Sequence, residues 1–106
     1  RNRTKGIEMR PRITKGFLES RIESLNYILK RPCDPWTRKD GKNVANIGNF
    51  HLSQAYGGYE LHEMSNKGGG VHDTFRCGHV PARELFNRLT AFIAGIELAR
   101  RESPDE

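Results

Sequence analysis

The stretch Ile47-Gly48-Asn49-Phe50-His51-Leu52-Ser53-Gln54-Ala55-Tyr56-Gly57-Gly58-Tyr59-Glu60-Leu61-His62-Glu63-Met64-Ser65 decides the fold. Gly57-Gly58 is a two-residue hairpin signal between two segments with strand character. A turn there pairs Tyr56 with Tyr59, Gln54 with Leu61, Ser53 with His62, and His51 with Met64. Strand side chains alternate, so this register predicts two faces. Phe50, Leu52, Tyr56, Tyr59 and Leu61 make the apolar face, expected inside. His51, Ser53, Ala55, Glu60, His62 and Met64 make the polar face, expected in water.

Outward from the hairpin, Asn66-Lys67-Gly68-Gly69-Gly70 reads as a flexible connection to a third strand, Val71 to Cys77. Val71, Phe75 and Cys77 are expected to extend the apolar face, with Asp73 an ill-fitting member near an edge. His72, Thr74 and Arg76 extend the polar one. A helix then runs from Pro81 to about Arg101, its stripe built from Leu85, Leu89, Phe92, Ile96 and Ala99 and widened by Phe86 and Ile93. Gly95 inside it is unfavourable by ~1 kcal/mol relative to Ala, which close helix–sheet packing would explain. On the N-terminal side, Leu18, Ile22, Leu25 and Leu29 form one helical stripe from about Thr14 to Leu29. Thr14 suits the N-cap, Glu19 suits the positive end of the dipole, and Pro32 stops the helix. Between this helix and the hairpin lies Trp36 to Val44, containing the turn pair Asp40-Gly41, and it is read as a loop rather than a second hairpin.

The order helix, three strands, helix predicts an α+β fold. It is a two-layer α-β-β-β-α arrangement, with a three-stranded antiparallel sheet carrying both helices on one face. A chain of 106 residues supports one core. The expected division is a basic flexible arm over 1–12, one domain over 13–101 and a disordered tail over 102–106. The longest apolar run, between Thr90 and Glu97, falls far short of the ~20 residues of a bilayer span, so no membrane association is expected. No secretory leader is evident, and Cys33 and Cys77 read as free thiols, which together predict a cytoplasmic protein. Net charge is +5, but residues 1–12 hold +4 of it. Met9 reads as an alternative start, which would remove part of that arm. Overall basicity is therefore weak support for a nucleic-acid partner.

Two surfaces are candidates for function. The polar sheet face gathers His51, Ser53, His62, His72, Thr74 and Arg76, offering a donor fork and imidazole rings to an anion or a planar polar ligand. The segment with Arg31, Trp36, Arg38, Lys39 and Lys42 combines the only tryptophan with the one dense basic cluster outside the arm, a composition that stacks bases and holds phosphates. The bland alternatives are solvent-facing histidines and a tryptophan plugging the core edge. No metal is expected, because His51 and His62 lie on a cross-strand diagonal whereas zinc needs three or four converging ligands. Ser53, His62 and Glu60 can be drawn as a triad. However, Glu60 neighbours His62 on one exposed strand and nothing suggests an oxyanion hole, so no catalytic residue and no cofactor are expected. Gly68-Gly69-Gly70 lacks the Lys-Ser/Thr of a phosphate-binding loop.

The order of elements resembles the double-stranded RNA-binding domain. Where that family places a lysine cluster at its second helix, this chain has Pro81-Ala82-Arg83-Glu84, so the RNA-binding chemistry is not implied. The motifs Arg12-Ile13-Thr14-Lys15, Asn46 to Leu52, Ala55 to Leu61, Gly68-Gly69-Gly70 and Gly78 to Leu85 are similar to those of a family of small uncharacterised phage and prophage proteins. That resemblance implies a bacterial-host setting rather than a mechanism. Together these readings predict a small non-catalytic phage accessory protein that binds nucleic acid or a nucleotide. The rival reading is a module that binds a bacterial host protein or homodimerises through the open sheet face.

Overall fold

The computed structural model describes residues 12–103. The expected arm before Arg12, Met9 included, and the tail residues 104–106 lie outside them. Helix α1 spans Lys15–Ile28, with Thr14 as N-cap accepting from the Phe17 N–H at 3.2 Å. It closes where Pro32 demanded. Arg31 N–H donates to Asn26 C=O, Lys30 N–H donates to Tyr27 C=O, and Lys30 holds the left-handed position at φ 56°. Strands β1 (Trp36–Lys39) and β2 (Lys42–Ala45) form a separate two-stranded sheet. Strands β3 (Phe50–Ala55), β4 (Gly58–Met64) and β5 (Val71–Asp73) form an antiparallel sheet in that order. Helix α2 spans Ala82–Arg101 and follows Pro81 directly.

The chain is thus α+β, and its three-stranded sheet is present. Leu18, Ile22 and Leu25 of α1, Phe50 and Leu61 of the sheet, and Leu85, Leu89 and Ile93 of α2 share one buried cluster with Val80. Phe50 and Leu61 point to the same side, because Leu52 pairs with Leu61 and Phe50 lies two residues from Leu52. The alternation expected for β3 and β4 is present, but three expected exposures are reversed: Met64 and Glu60 are buried on the polar side, and Tyr56, expected inside, is exposed in the turn. Asn26, buried beside this cluster, donates to Phe50 C=O and accepts from Phe50 N–H, each at 2.9 Å. It ties α1 to the outer edge of β3.

Several expectations need correction. Trp36 to Val44 is a hairpin, not a loop: Asp40 and Gly41 both take positive φ, 51° and 77°, the geometry that Asp-Gly favours between twisted strands. The β3–β4 turn is Tyr56-Gly57 (φ 54° and 74°) rather than Gly57-Gly58, so His51 opposes His62 and Ser53 opposes Glu60. That register differs from the expected one by two residues, which keeps the alternation within both strands, while Tyr56 leaves the apolar face for the turn and sets its ring against His79. The third strand stops at Asp73, and its alternation is inverted. Val71 opposes Met64 and Asp73 opposes His62, which places both on the polar face. Gly95 meets nothing within 4 Å of where a Cβ would sit, so close packing does not explain it.

The triglycine connection is bonded internally rather than loose. Asn66 Oδ1 accepts from the N–H groups of Gly68 (2.9 Å) and Gly70 (3.0 Å). A Cβ on Gly69 would lie 2.6 Å from Trp36 Cη2, so the tryptophan ring lies directly against that backbone.

Candidate functional site

The expected basic surface splits in two. All four residues of β1 are exposed, and the β1–β2 hairpin projects Arg38, Lys39 and Lys42 with them. Pairing sets Lys39 directly opposite Lys42, a like-charge pair that is unfavourable in the absence of an anion. No acidic side chain among the described residues makes an ion pair with either lysine. Arg38 Nη1 is 3.5 Å from Asn43 Oδ1, its cross-strand neighbour. Trp36 sits at the base of the ribbon, half-exposed, with its ring over Gly69. Arg31 does not belong to this surface. Its Nη1 donates to Gly48 C=O (2.8 Å) and pairs with Glu63 Oε2 (2.9 Å), while its guanidinium lies over the Phe50 ring at 5.1 Å. It braces the sheet edge.

The expected polar sheet face is reorganised. His51, Ser53 and His62 share the polar face, as the alternation required. His72 opposes Glu63 on the other face, its Nε2 2.8 Å from Glu63 Oε1. Thr74 follows β5 with its Oγ1 buried and unpartnered. Arg76 is exposed in the next turn at φ 56°. The turn reverses the chain because Asp73 Oδ2 accepts from Gly78 N–H at 2.8 Å and Asp73 C=O accepts from Arg76 N–H at 3.2 Å. An uninterrupted strand was the wrong premise for these three residues.

What replaces them is a cluster around Glu60, whose residue is only 9% exposed. Glu60 Oε1 contacts His62 Nε2, and Glu60 Oε2 lies 3.8 Å from His79 Nδ1. The other nitrogen of His79, Nε2, is 3.1 Å from Ser53 Oγ. The rings of His51 and His62 meet edge to face at 5.7 Å, those of His62 and His79 at 6.4 Å, and Tyr56 caps His79 at 5.6 Å. His51 Nδ1 is 3.1 Å from the side-chain oxygen of Asn49, itself anchored to Pro32 C=O.

Charge follows from these contacts. Burial holds the His51 pKa below the ordinary histidine value, and the charge of His62 adds to that shift. Burial pushes Asp73 up, but the N–H of Gly78, a contact with the Glu60 side chain and the N–H groups of Arg76 and Phe75 outweigh it and keep Asp73 low. Burial raises the Cys77 thiol, and although Arg88 opposes this, Asp73, Glu84 and Glu60 reinforce it, so Cys77 is a poor thiolate. Two carboxylates in the cluster, with Arg76 and His72 elsewhere, make this face unsuited to a phosphate. No group of three or more His, Cys, Asp or Glu among the described residues is arranged to hold a metal ion.

His79 is the residue that sequence reasoning missed. It precedes Val80, which bridges to Tyr59 through two backbone hydrogen bonds, Tyr59 N–H to Val80 C=O (2.8 Å) and Val80 N–H to Tyr59 C=O (2.9 Å). Gly58 makes room for this bridge: a Cβ there would lie 2.9 Å from Val80 O and 3.1 Å from His79 C. The second glycine of the pair thus serves close approach, not the turn.

No helix among the described residues is long and apolar enough to cross a membrane. In comparison with known proteins, no family model, no curated protein and no solved structure matches this chain.

Proposed function

We propose that the protein binds duplex DNA through the β1–β2 hairpin. The observation that carries this reading is a separate two-stranded ribbon, exposed along all of β1, with Lys39 facing Lys42 and Arg38 beside them. A two-stranded ribbon fits the ~12 Å major groove of B-form DNA, whereas the deep, narrow major groove of A-form RNA does not admit side chains. Phosphates relieve the lysine–lysine repulsion, and Thr37 and Asn43 provide uncharged polar groups on the same element. The phage setting rests on the motif resemblance alone and is part of this proposal.

The test is duplex DNA titrated with the full chain at several salt concentrations, read by anisotropy of labelled DNA. Affinity should fall steeply with salt, and the Lys39→Gln/Lys42→Gln double variant should lower the magnitude of the log–log slope by about 2. An unchanged slope would refute the assignment.

A second reading, nucleotide capture, has its own observation. A recess of about 550 Å³ is lined by Lys30, Ala99, Arg100 and Ser103 at the C-terminal ends of the two helices. A nucleoside triphosphate that raises the melting temperature of the wild type but not of Lys30→Gln would favour that reading.

A further inference from the structure

We propose that Ser53 is a nucleophile with His79 as its base, and that this face of the sheet takes an acyl group from a small uncharged ester. The inference is independent of the DNA-binding hairpin and uses none of its residues. Its basis is the alignment Ser53 Oγ, His79 Nε2 at 3.1 Å, His79 Nδ1, then Glu60 Oε2 at 3.8 Å. At 3.8 Å the Glu60 carboxylate is too far for a hydrogen bond to His79, but its charge favours the proton on the near nitrogen, Nδ1, which leaves the Nε2 lone pair for the serine. Glu60 is a positioning residue, anchored in turn by His62. Ser53 and Glu60 are directly opposed on regular strands, β3 and β4, and His79 lies in the bend next to the Tyr59–Val80 bridge, which fixes its backbone beside them.

The sequence pattern drew the serine toward His62, but the structure gives that ring to Glu60 and supplies His79 from the segment before α2. The carboxylates Glu60 and Asp73 exclude phosphate esters and leave uncharged esters as the fitting class. Tyr56, 96% exposed with its ring 5.6 Å from that of His79, offers a flat surface for an aromatic leaving group.

In the first step Ser53 Oγ bonds to the ester carbonyl carbon while its proton passes to His79 Nε2. The tetrahedral adduct then expels the alcohol: the bond from carbonyl carbon to the leaving oxygen breaks, that oxygen takes the proton from Nε2, and Ser53 is left acylated. Water attacks the acyl-serine with its proton going to Nε2. The carboxylic acid departs as Ser53 Oγ recovers that proton.

The experiment treats the full chain with p-nitrophenyl acetate, read as released p-nitrophenolate, and separately with an alkyl fluorophosphonate, read by peptide mass. The fluorophosphonate should mark Ser53 in the wild type, with fluoride as the leaving group. Ester turnover should fall at least about tenfold in Ser53→Ala and in His79→Gln, while Ser65→Ala stays at the wild-type rate. Labelling of Ser53 should be slower in His79→Gln than in the wild type, while Ser65→Ala labels at the wild-type rate. No phosphonate on Ser53 of the wild type overturns the proposal whatever the variants do, and so does wild-type turnover in a folded Ser53→Ala protein. DNA binding is unaffected by either result, so this inference and the hairpin reading fail separately.

Discussion

The molecule contains two hairpins with the same turn geometry and opposite surroundings. In β1–β2 the left-handed positions are filled by Asp40 and Gly41; in β3–β4 they are filled by Tyr56 and Gly57. Asp tolerates that conformation, whereas a tyrosine there costs about 1–2 kcal/mol. The first hairpin is exposed and polar, and its second strand ends in buried Ala45. The second is seated on the core through Phe50 and Leu61 and carries the Ser53–His79–Glu60 array on its other side. Strain is tolerated where tertiary contacts are dense, and the unstrained turn lies on a ribbon held to the rest of the chain only at its base, by Trp36 against Gly69 and by Ala45.

The largest effect that separates them is packing. Leu61→Ala should destabilise the protein by about 2–5 kcal/mol, while Val44→Ala should cost under about 1, both by urea denaturation. Equal losses would mean that the first hairpin is also a core element. Next comes Gly58→Ala, expected to cost about 1–3 kcal/mol because its Cβ meets the Val80 carbonyl. The same variant should detach His79 and slow labelling of Ser53. Smaller again is Tyr56→Gly, which should stabilise the fold by about 0.5–1 kcal/mol by removing the strained side chain; Asp40→Gly should change stability by less.

The smallest effect is a pH dependence that the second hairpin carries and the first does not. The folded pKa of His51 is lowered by burial, then by His62, so the unfolded chain binds more protons near its ordinary value. Stability is therefore full above pH ~6.5 and declines as pH falls toward the folded value. His51→Asn should remove that decline in a urea series from pH 7.5 to 5. Further acid adds a second loss. Burial pushes Glu63 up, but hydrogen bonds from Arg31 and His72 and the charges of both hold it low, so the stability it contributes disappears below pH ~4.5.

Both helices and the sidedness of β3 and β4 were legible in the sequence. Thr14 and Pro32 bracket α1, and the Leu85–Leu89–Ile93 repeat marks α2. Sidedness survived a misplaced turn because a shift of two residues conserves parity. What was illegible depended on turn chemistry and long-range contacts. Tyr in a left-handed position disguised the Tyr56-Gly57 turn beside a glycine pair that looked better. Nothing in the apolar pattern shows that Asp73 ends β5, so His72, Thr74 and Arg76 were assigned to a strand that does not continue. His79 lies in a segment with no strand period. The only sequence clue was a second glycine that the turn does not need, which marks a close backbone neighbour.

Asn26 has a consequence for solubility. β3 is an outer strand, and such strands recruit foreign β-segments through unfilled amide and carbonyl groups. By occupying both groups of Phe50, this asparagine acts as a one-residue counterfeit strand. Any incoming chain must evict it before zipping can begin at that end. The helix thereby guards the sheet against runaway self-assembly, at the expense of a single buried amide.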